Sequence, residues 1–228
     1  MEQTKLTFKI YEPLLDDFEK NIDRLCLKRD AFLNHVLRTE VDYLKKELGS
    51  KRQSAAARKF ISGELKRLGT HTINVVVDKD VAAMLNEVVD SSNMVRDAFA
   101  NRLLMFLRCS PKMLNYLDLP LNVRQSNFDY CIDDISTSPL LAMEEIFRDP
   151  MYYLRVAIEE RNGVGPYMLN LPEKLIGFTC YLSDDQVPGT LEQRAAEELS
   201  NELLRQLDKL ESLAFIKPLQ AISSGVKK

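Results

Sequence analysis

Residue types that carry covalent or metal chemistry are few in this 228-residue chain, and their spacing is poor for either. There are two histidines, His35 and His71, and four cysteines, Cys26, Cys109, Cys131 and Cys180. The cysteines lie far apart with no CxxC pair, so neither a zinc cage nor a secreted disulfide framework is indicated. Reduced, mostly buried thiols are expected instead. The sequence contains no HExxH, GxxxxGK[ST] or GxSxG, and no GxGxxG after a strand. Paired acids occur at Asp133-Asp134, Glu144-Glu145, Glu159-Glu160 and Asp184-Asp185. Adjacent carboxylates diverge on a helix or a strand, and no histidine, nucleophile or phosphate loop accompanies these, so they read as solvated surface. No catalytic residue, metal ligand or cofactor is expected, and the chain does not read as an enzyme.

The other chemistry on offer is positive charge. Residues 45–69 hold Lys45, Lys46, Lys51, Arg52, Arg58, Lys59, Lys66 and Arg67 against only Glu47 and Glu64. Such a stretch either contacts phosphates or is a solvated helical connector. Residues 1–110 carry 19 Lys+Arg and 16 Asp+Glu, a balance of +3, and residues 111–228 carry 12 and 18, a balance of −6. A nucleic-acid-facing half and an acidic, partner-facing half would show this asymmetry. Length and composition, 45% hydrophobic and 29% charged, fit a globular chain with a proper core. Its longest apolar stretches fall far short of the ~20 residues that span a bilayer. The opening MEQTKLTFKI is not of signal-peptide type, so a cytoplasmic location without membrane attachment is expected.

The elements that position these residues come in duplicate. Arg29-Asp30-Ala31-Phe32-Leu33-Asn34-His35-Val36-Leu37 returns as Arg96-Asp97-Ala98-Phe99-Ala100-Asn101-Arg102-Leu103-Leu104, six of nine identical at an offset of 67. The match runs backward without a gap: Leu6, Phe8 and Ile10 fall on Ile73, Val75 and Val77, and Leu14, Phe18 and Ile22 on Val81, Leu85 and Val89. Each copy opens on an alternating run, Lys5-Leu6-Thr7-Phe8-Lys9-Ile10 or Thr72-Ile73-Asn74-Val75-Val76-Val77, which predicts a half-buried strand. A helix follows, with Pro13 near its start and Leu14, Phe18, Ile22 and Leu25 as its stripe in copy one. In copy two Asp78 is the expected N-cap, and Val81, Leu85, Val88 and Val89 form the stripe. A second helix then buries Phe32, Val36, Leu37, Val41 and Leu44, or Phe99, Leu103, Leu104 and Leu107. One copy alone leaves its strand unpaired, whereas two copies pair their strands antiparallel over four helices.

This pattern, carried by KLTFKI, the helix at Pro13 and the KRDAFLN start of the second helix, resembles the ribbon-helix-helix family of DNA-binding proteins. The resemblance covers roughly residues 4–48 and 70–108 and implies a tandem, single-chain pseudo-dimer, an arrangement known among conjugation accessory proteins. It implies that the ribbon enters the major groove of double-stranded DNA with outward residues on base edges. By alternation those are Lys5, Thr7 and Lys9 on one strand and Thr72, Asn74 and Val76 on the other, unless they are simply the solvated face of a hairpin. It further implies that the second helix of each copy grips phosphate at its N-terminus, where Lys28, Arg29 and Arg96 stand. Lys51, Arg52, Arg58 and Lys59 of the connector would add phosphate contacts. The sequence departs from the family where a turn glycine and a Ser or Thr cap are usual: Leu27 and Met94 occupy the cap register, with Asn93 or Ser92 one step early. Each Asp beside an Arg could instead make a structural contact, within its helix start or across the pseudo-dimer.

After Pro111 the repeat stops. Ser138-Pro139 starts a helix, Asp149-Pro150 breaks it, Met151–Arg161 reads as a helix ending at Gly163, and Leu175–Leu182 as a strand or two. A last helix runs from Gly189-Thr190 to about Ala214, with Leu199, Leu203, Leu207 and Leu210 as its stripe. The expected class is mainly α with a short antiparallel β-ribbon: a tandem ribbon-helix-helix domain over residues 1–110 with a basic helical linker, 49–69, then a C-terminal α+β domain over 111–228. The expected function is sequence-specific DNA binding, as a transcriptional repressor or autoregulator or as a plasmid-transfer or partition accessory factor. A homodimer or protein partner would engage residues 111–228. The alternative is a protein-interaction adaptor or inhibitor on the same scaffold.

Overall fold

A computed structural model of the chain describes residues 2–119, 138–189 and 199–200. The first alternating run forms β1, Gln3–Tyr11, and the second forms β2, Thr70–Asp78. They pair antiparallel as a two-stranded sheet, with Leu6 opposite Val75 and Phe8 opposite Ile73. Their even-numbered and odd-numbered inward residues, Leu6, Phe8 and Ile10 with Ile73, Val75 and Val77, are all buried.

Two helices follow each strand. After β1 come α1, Glu12–Arg24, and α2, Arg29–Leu48; after β2 come α4, Lys79–Ser92, and α5, Arg96–Leu107. The apolar stripes face the underside of the ribbon, and Phe18, Leu44, Leu85, Phe99 and Leu103 belong to one continuous core with it. Leu25 departs from its expected place in the α1 stripe: the helix ends at Arg24 and Leu25 is 58% exposed. The turn between helices uses a left-handed residue in both copies, Cys26 and Asn93, each at φ 55° and 67 positions apart. Leu27 N and Met94 N then donate back to the Ile22 and Val89 carbonyls, closing the helix end in the same way twice. The caps of α2 and α5 are Lys28 and Val95, one residue beyond the register expected from sequence, and neither makes a side-chain cap bond.

The linker carries α3, Ala55–Arg67, capped by Ser54, whose Oγ accepts from Ala57 N at 3.1 Å. Ala57, Ile61 and Leu65 are its buried face. Beyond α5 come α6, Pro111–Tyr116, and helices at Pro139–Arg148 and Tyr152–Asn162, the last closed by Gly163 at φ 65°. The strand expected over Leu175–Leu182 is absent; Glu173–Phe178 is a 3-10 helix instead. Gly177 there lies so close to α3 that an added Cβ would stand 2.8 Å from Leu65 N. The segment has strand-like composition but no strand edge to join.

The chain divides into two compact units, Met1–Leu182 and Ser183–Lys228. Within the first, packing runs on across residues 110/111, since Arg102 of α5 donates to the carbonyls of Pro166 and Leu169. In the second, Ser183 caps a short 3-10 turn, Asp184–Gln186, with a reciprocal Gln186 box. Cys131, the Asp133-Asp134 pair and the Leu203, Leu207 and Leu210 part of the last predicted helix lie outside the described residues. Among those described, no helix is long and apolar enough to cross a membrane.

Candidate functional site

The outward face of the ribbon presents Lys5, Thr7, Lys9, Thr72 and Asn74 as exposed side chains, with Val76 half-buried among them. Lys5 stands opposite Val76, Thr7 opposite Asn74 and Lys9 opposite Thr72. Thr7 Oγ1 donates to Asn74 Oδ1 at 2.8 Å, fixing the middle of the face. Thr7 and Asn74 are also counterparts in the repeat, 67 residues apart, so the register is symmetric about this pair. Neither Lys5 nor Lys9 pairs with an acid among the described residues.

A two-stranded sheet has two free edges, and each is clamped in part by the repeated Arg-Asp-Ala-Phe-x-Asn. From copy one, Arg29 Nη2 donates to Asn74 O at 3.0 Å, Asp30 accepts from Val76 N at 3.1 Å and Asn34 Oδ1 accepts from Asp78 N at 2.8 Å. Copy two repeats all three: Arg96 Nη2 to Thr7 O at 3.0 Å, Lys9 N to Asp97 at 3.1 Å and Tyr11 N to Asn101 Oδ1 at 2.8 Å. Each helix therefore fastens the strand of the other copy. Asn101 adds a bond from Nδ2 to Lys9 O. Four edge groups of β1 and three of β2 that could otherwise pair with another strand are thereby satisfied. The roles of Asn34 and Asn101 were missed in the sequence, where their identity in both copies was the available signal.

Basic residues divide into engaged and unengaged. Arg29 bonds Glu19 and Asp30 besides Asn74, and although burial works against its charge, the Asp30 and Glu19 bonds more than offset this and raise its pKa. Arg96 lies over the Phe8 ring, 5.6 Å from its centroid. Arg52 donates to the Asp90 and Ser91 carbonyls and Arg58 to Asn93 Oδ1, which fastens the linker to the turn before α5. Lys28, Lys51 and Lys59 are exposed. Asp78 occupies the N-cap position of α4 as expected, but its carboxylate accepts from Asn34 and Arg38 rather than capping.

A second polar cluster is buried, between α2 and residues 149–180. Arg155 is 3% exposed and donates to Glu40 and to Asp149, the latter at 2.9 Å. Burial pushes the Glu40 carboxyl up, against the Tyr167 hydroxyl bond and the Arg155 charge. Glu47, two turns along α2, accepts from Tyr167 N at 2.7 Å and Met168 N at 3.0 Å. Gly165 makes room for it, because a Cβ there would lie 2.2 Å from the carboxylate carbon. Burial raises Glu47 to about 7 and the nearby Cys180 thiol to about 12. These groups pin the C-terminal segment to α2; no nucleophile among them is activated, since burial holds Cys180 as a thiol. Among the described residues no group of three His, Cys, Asp or Glu is placed to hold a metal ion.

No protein-family model, no curated protein and no solved structure matches the chain.

Proposed function

We propose that the chain is a tandem ribbon-helix-helix protein, a pseudo-dimer folded from one polypeptide, that inserts its ribbon into the major groove of double-stranded DNA and binds sequence-specifically. The observation that carries this is the register symmetric about Thr7 and Asn74, with polar side chains projecting from a ribbon clamped along part of each edge. Clamps along part of both edges disfavour strand addition, which supports recognition by the outward side chains. Two strands ~5 Å apart fit a groove about 12 Å wide. Lysine donates to guanine O6 and N7, asparagine pairs with adenine N6 and N7, and the Val76 methyls suit the thymine methyl. Lys28, Lys51 and Lys59, with Arg52 and Arg58 in part, supply phosphate contacts, and such contacts make affinity fall with salt. The biological use is repression, autoregulation or an accessory role in plasmid transfer or partition.

Selection from random duplex DNA, followed by a salt titration on the winner, tests this. An enriched motif whose log K falls linearly with log salt is the expected result; salt-sensitive binding with no enrichment would refute sequence-specific readout. One observation favours the adaptor reading: Arg29 and Arg96 each donate to a strand carbonyl inside the fold. Under that reading, replacing Lys5 and Lys9 leaves a protein complex intact.

A further inference from the structure

The two strands of the ribbon are related by the repeat but carry different outward residues. Turning the ribbon about the Thr7–Asn74 pair puts Lys5 where Thr72 stood and Lys9 where Val76 stood. Both lysines therefore belong to β1, one on either side of the symmetric centre, and β2 offers no cation on this face. The backbone dyad is kept while the chemistry that reads bases breaks it.

From this we infer that the DNA target is non-palindromic, with two guanines on the same DNA strand about three base pairs apart. The inference rests on the major-groove function proposed above. Lys5 and Lys9 are four residues apart on a strand rising ~3.3 Å per residue, a span of about 13 Å. Successive bases along one DNA strand rise ~3.4 Å on the helix axis while the groove winds around it, so the span along the groove covers about three. A ribbon lying along the groove sets β1 beside one DNA strand and β2 beside the other. Guanine offers O6 and N7 on its own strand's side of the groove floor, so two lysines from one protein strand select guanines on one DNA strand. A symmetric pair of lysines, one from each strand, would select an inverted repeat instead. The β2 side reads by Thr72, Asn74 and Val76, with a hydroxyl, an amide and methyl groups.

The test is selection from random duplexes with the full chain and with two variants. For the natural sequence the expected motif is non-palindromic with the two guanines on one strand. T72K/N74T/V76K gives β2 the outward face of β1 and is expected to turn the enriched motif into an inverted repeat. K5A, which leaves the ribbon backbone and core untouched, is expected to lose selection of one guanine only and to weaken the chosen duplex by about 10- to 100-fold. A palindromic motif from the natural chain overturns the inference while leaving DNA binding standing. So does a K5A motif that keeps both guanines, which decides the matter even if the triple variant fails to fold. Absence of any enriched motif from the natural chain removes the function on which the inference rests, and the inference with it.

Discussion

At the scale of single residues, the two copies solve one backbone problem with different side chains. Cys26 and Asn93 both sit in the left-handed region, where a Cβ costs roughly 1 kcal/mol and where asparagine is tolerated better than most residues. Asn93 also gains two bonds there, from Arg58 and to Gln53 O. Cys26 is exposed, and no bond of its side chain offsets the conformation among the described contacts. Cys26→Gly is therefore expected to raise stability by about 1 kcal/mol in urea unfolding, and Asn93→Ala to lower it by about 2 kcal/mol. No gain from Cys26→Gly, or no loss from Asn93→Ala, would contradict this account of the turn. The turn was half legible: Asn93 stood out as a candidate near a helix start, but its real place at the end of α4 depends on where that helix stops.

At the scale of elements, the ribbon could be read from the sequence because period-two alternation is local to each strand. The clamps on its edges were legible only in part: the contact expected of Asp30 and Asp97 within or across the copies is present, while the strand bonds of the arginines and asparagines were not foreseen. Arg29, Asp30 and Asn34 meet partners 44 to 46 residues away, and Arg96, Asp97 and Asn101 meet theirs 88 to 92 away. Identity between copies marked Arg29, Asn34 and their counterparts as important without saying which strand groups they touch. Asn101→Ala strips two bonds from the β1 edge, at Tyr11 N and Lys9 O, and is expected to cost about 2 kcal/mol and to speed amide exchange at Tyr11. Unchanged protection at Tyr11 would show that the edge is closed by something else. The misread segment is Leu175–Leu182, whose apolar and aromatic run has strand composition. A strand needs backbone partners, and this segment lies against α3 rather than a sheet edge, where it forms a 3-10 helix. Gly177→Ala, forced against the Leu65 backbone, is expected to destabilise by about 1–3 kcal/mol and to loosen this segment first, as hydrogen exchange would register.

At the scale of the whole molecule, the polar cluster under residues 149–180 ties stability to pH. Burial raises Glu47 from the ordinary 4.5 to about 7. A raised carboxyl favours the folded state fully below its unfolded pKa, and that contribution is lost as pH climbs through the folded one. Between pH 4.5 and about 7 the protein therefore gives up about 3 kcal/mol through this group, and more alkaline conditions take no more. Glu47→Gln stays neutral, so its stability relative to the natural chain should improve steadily over that window in urea titrations. A constant difference from pH 5 to 8 would mean that Glu47 is not the titrating group. The cluster leaves the outward ribbon face alone, so binding and this pH dependence are separable.

The account's central claim is that the ribbon reads DNA by its outward side chains, and competition between a selected duplex and a scrambled one of equal length tests it most directly. The natural chain is expected to prefer the selected duplex by at least about tenfold, and K5A/K9A, with its thermal melt unchanged, to lose that preference while keeping weak, salt-sensitive binding. A folded K5A/K9A that discriminates as well as the natural chain would contradict the claim.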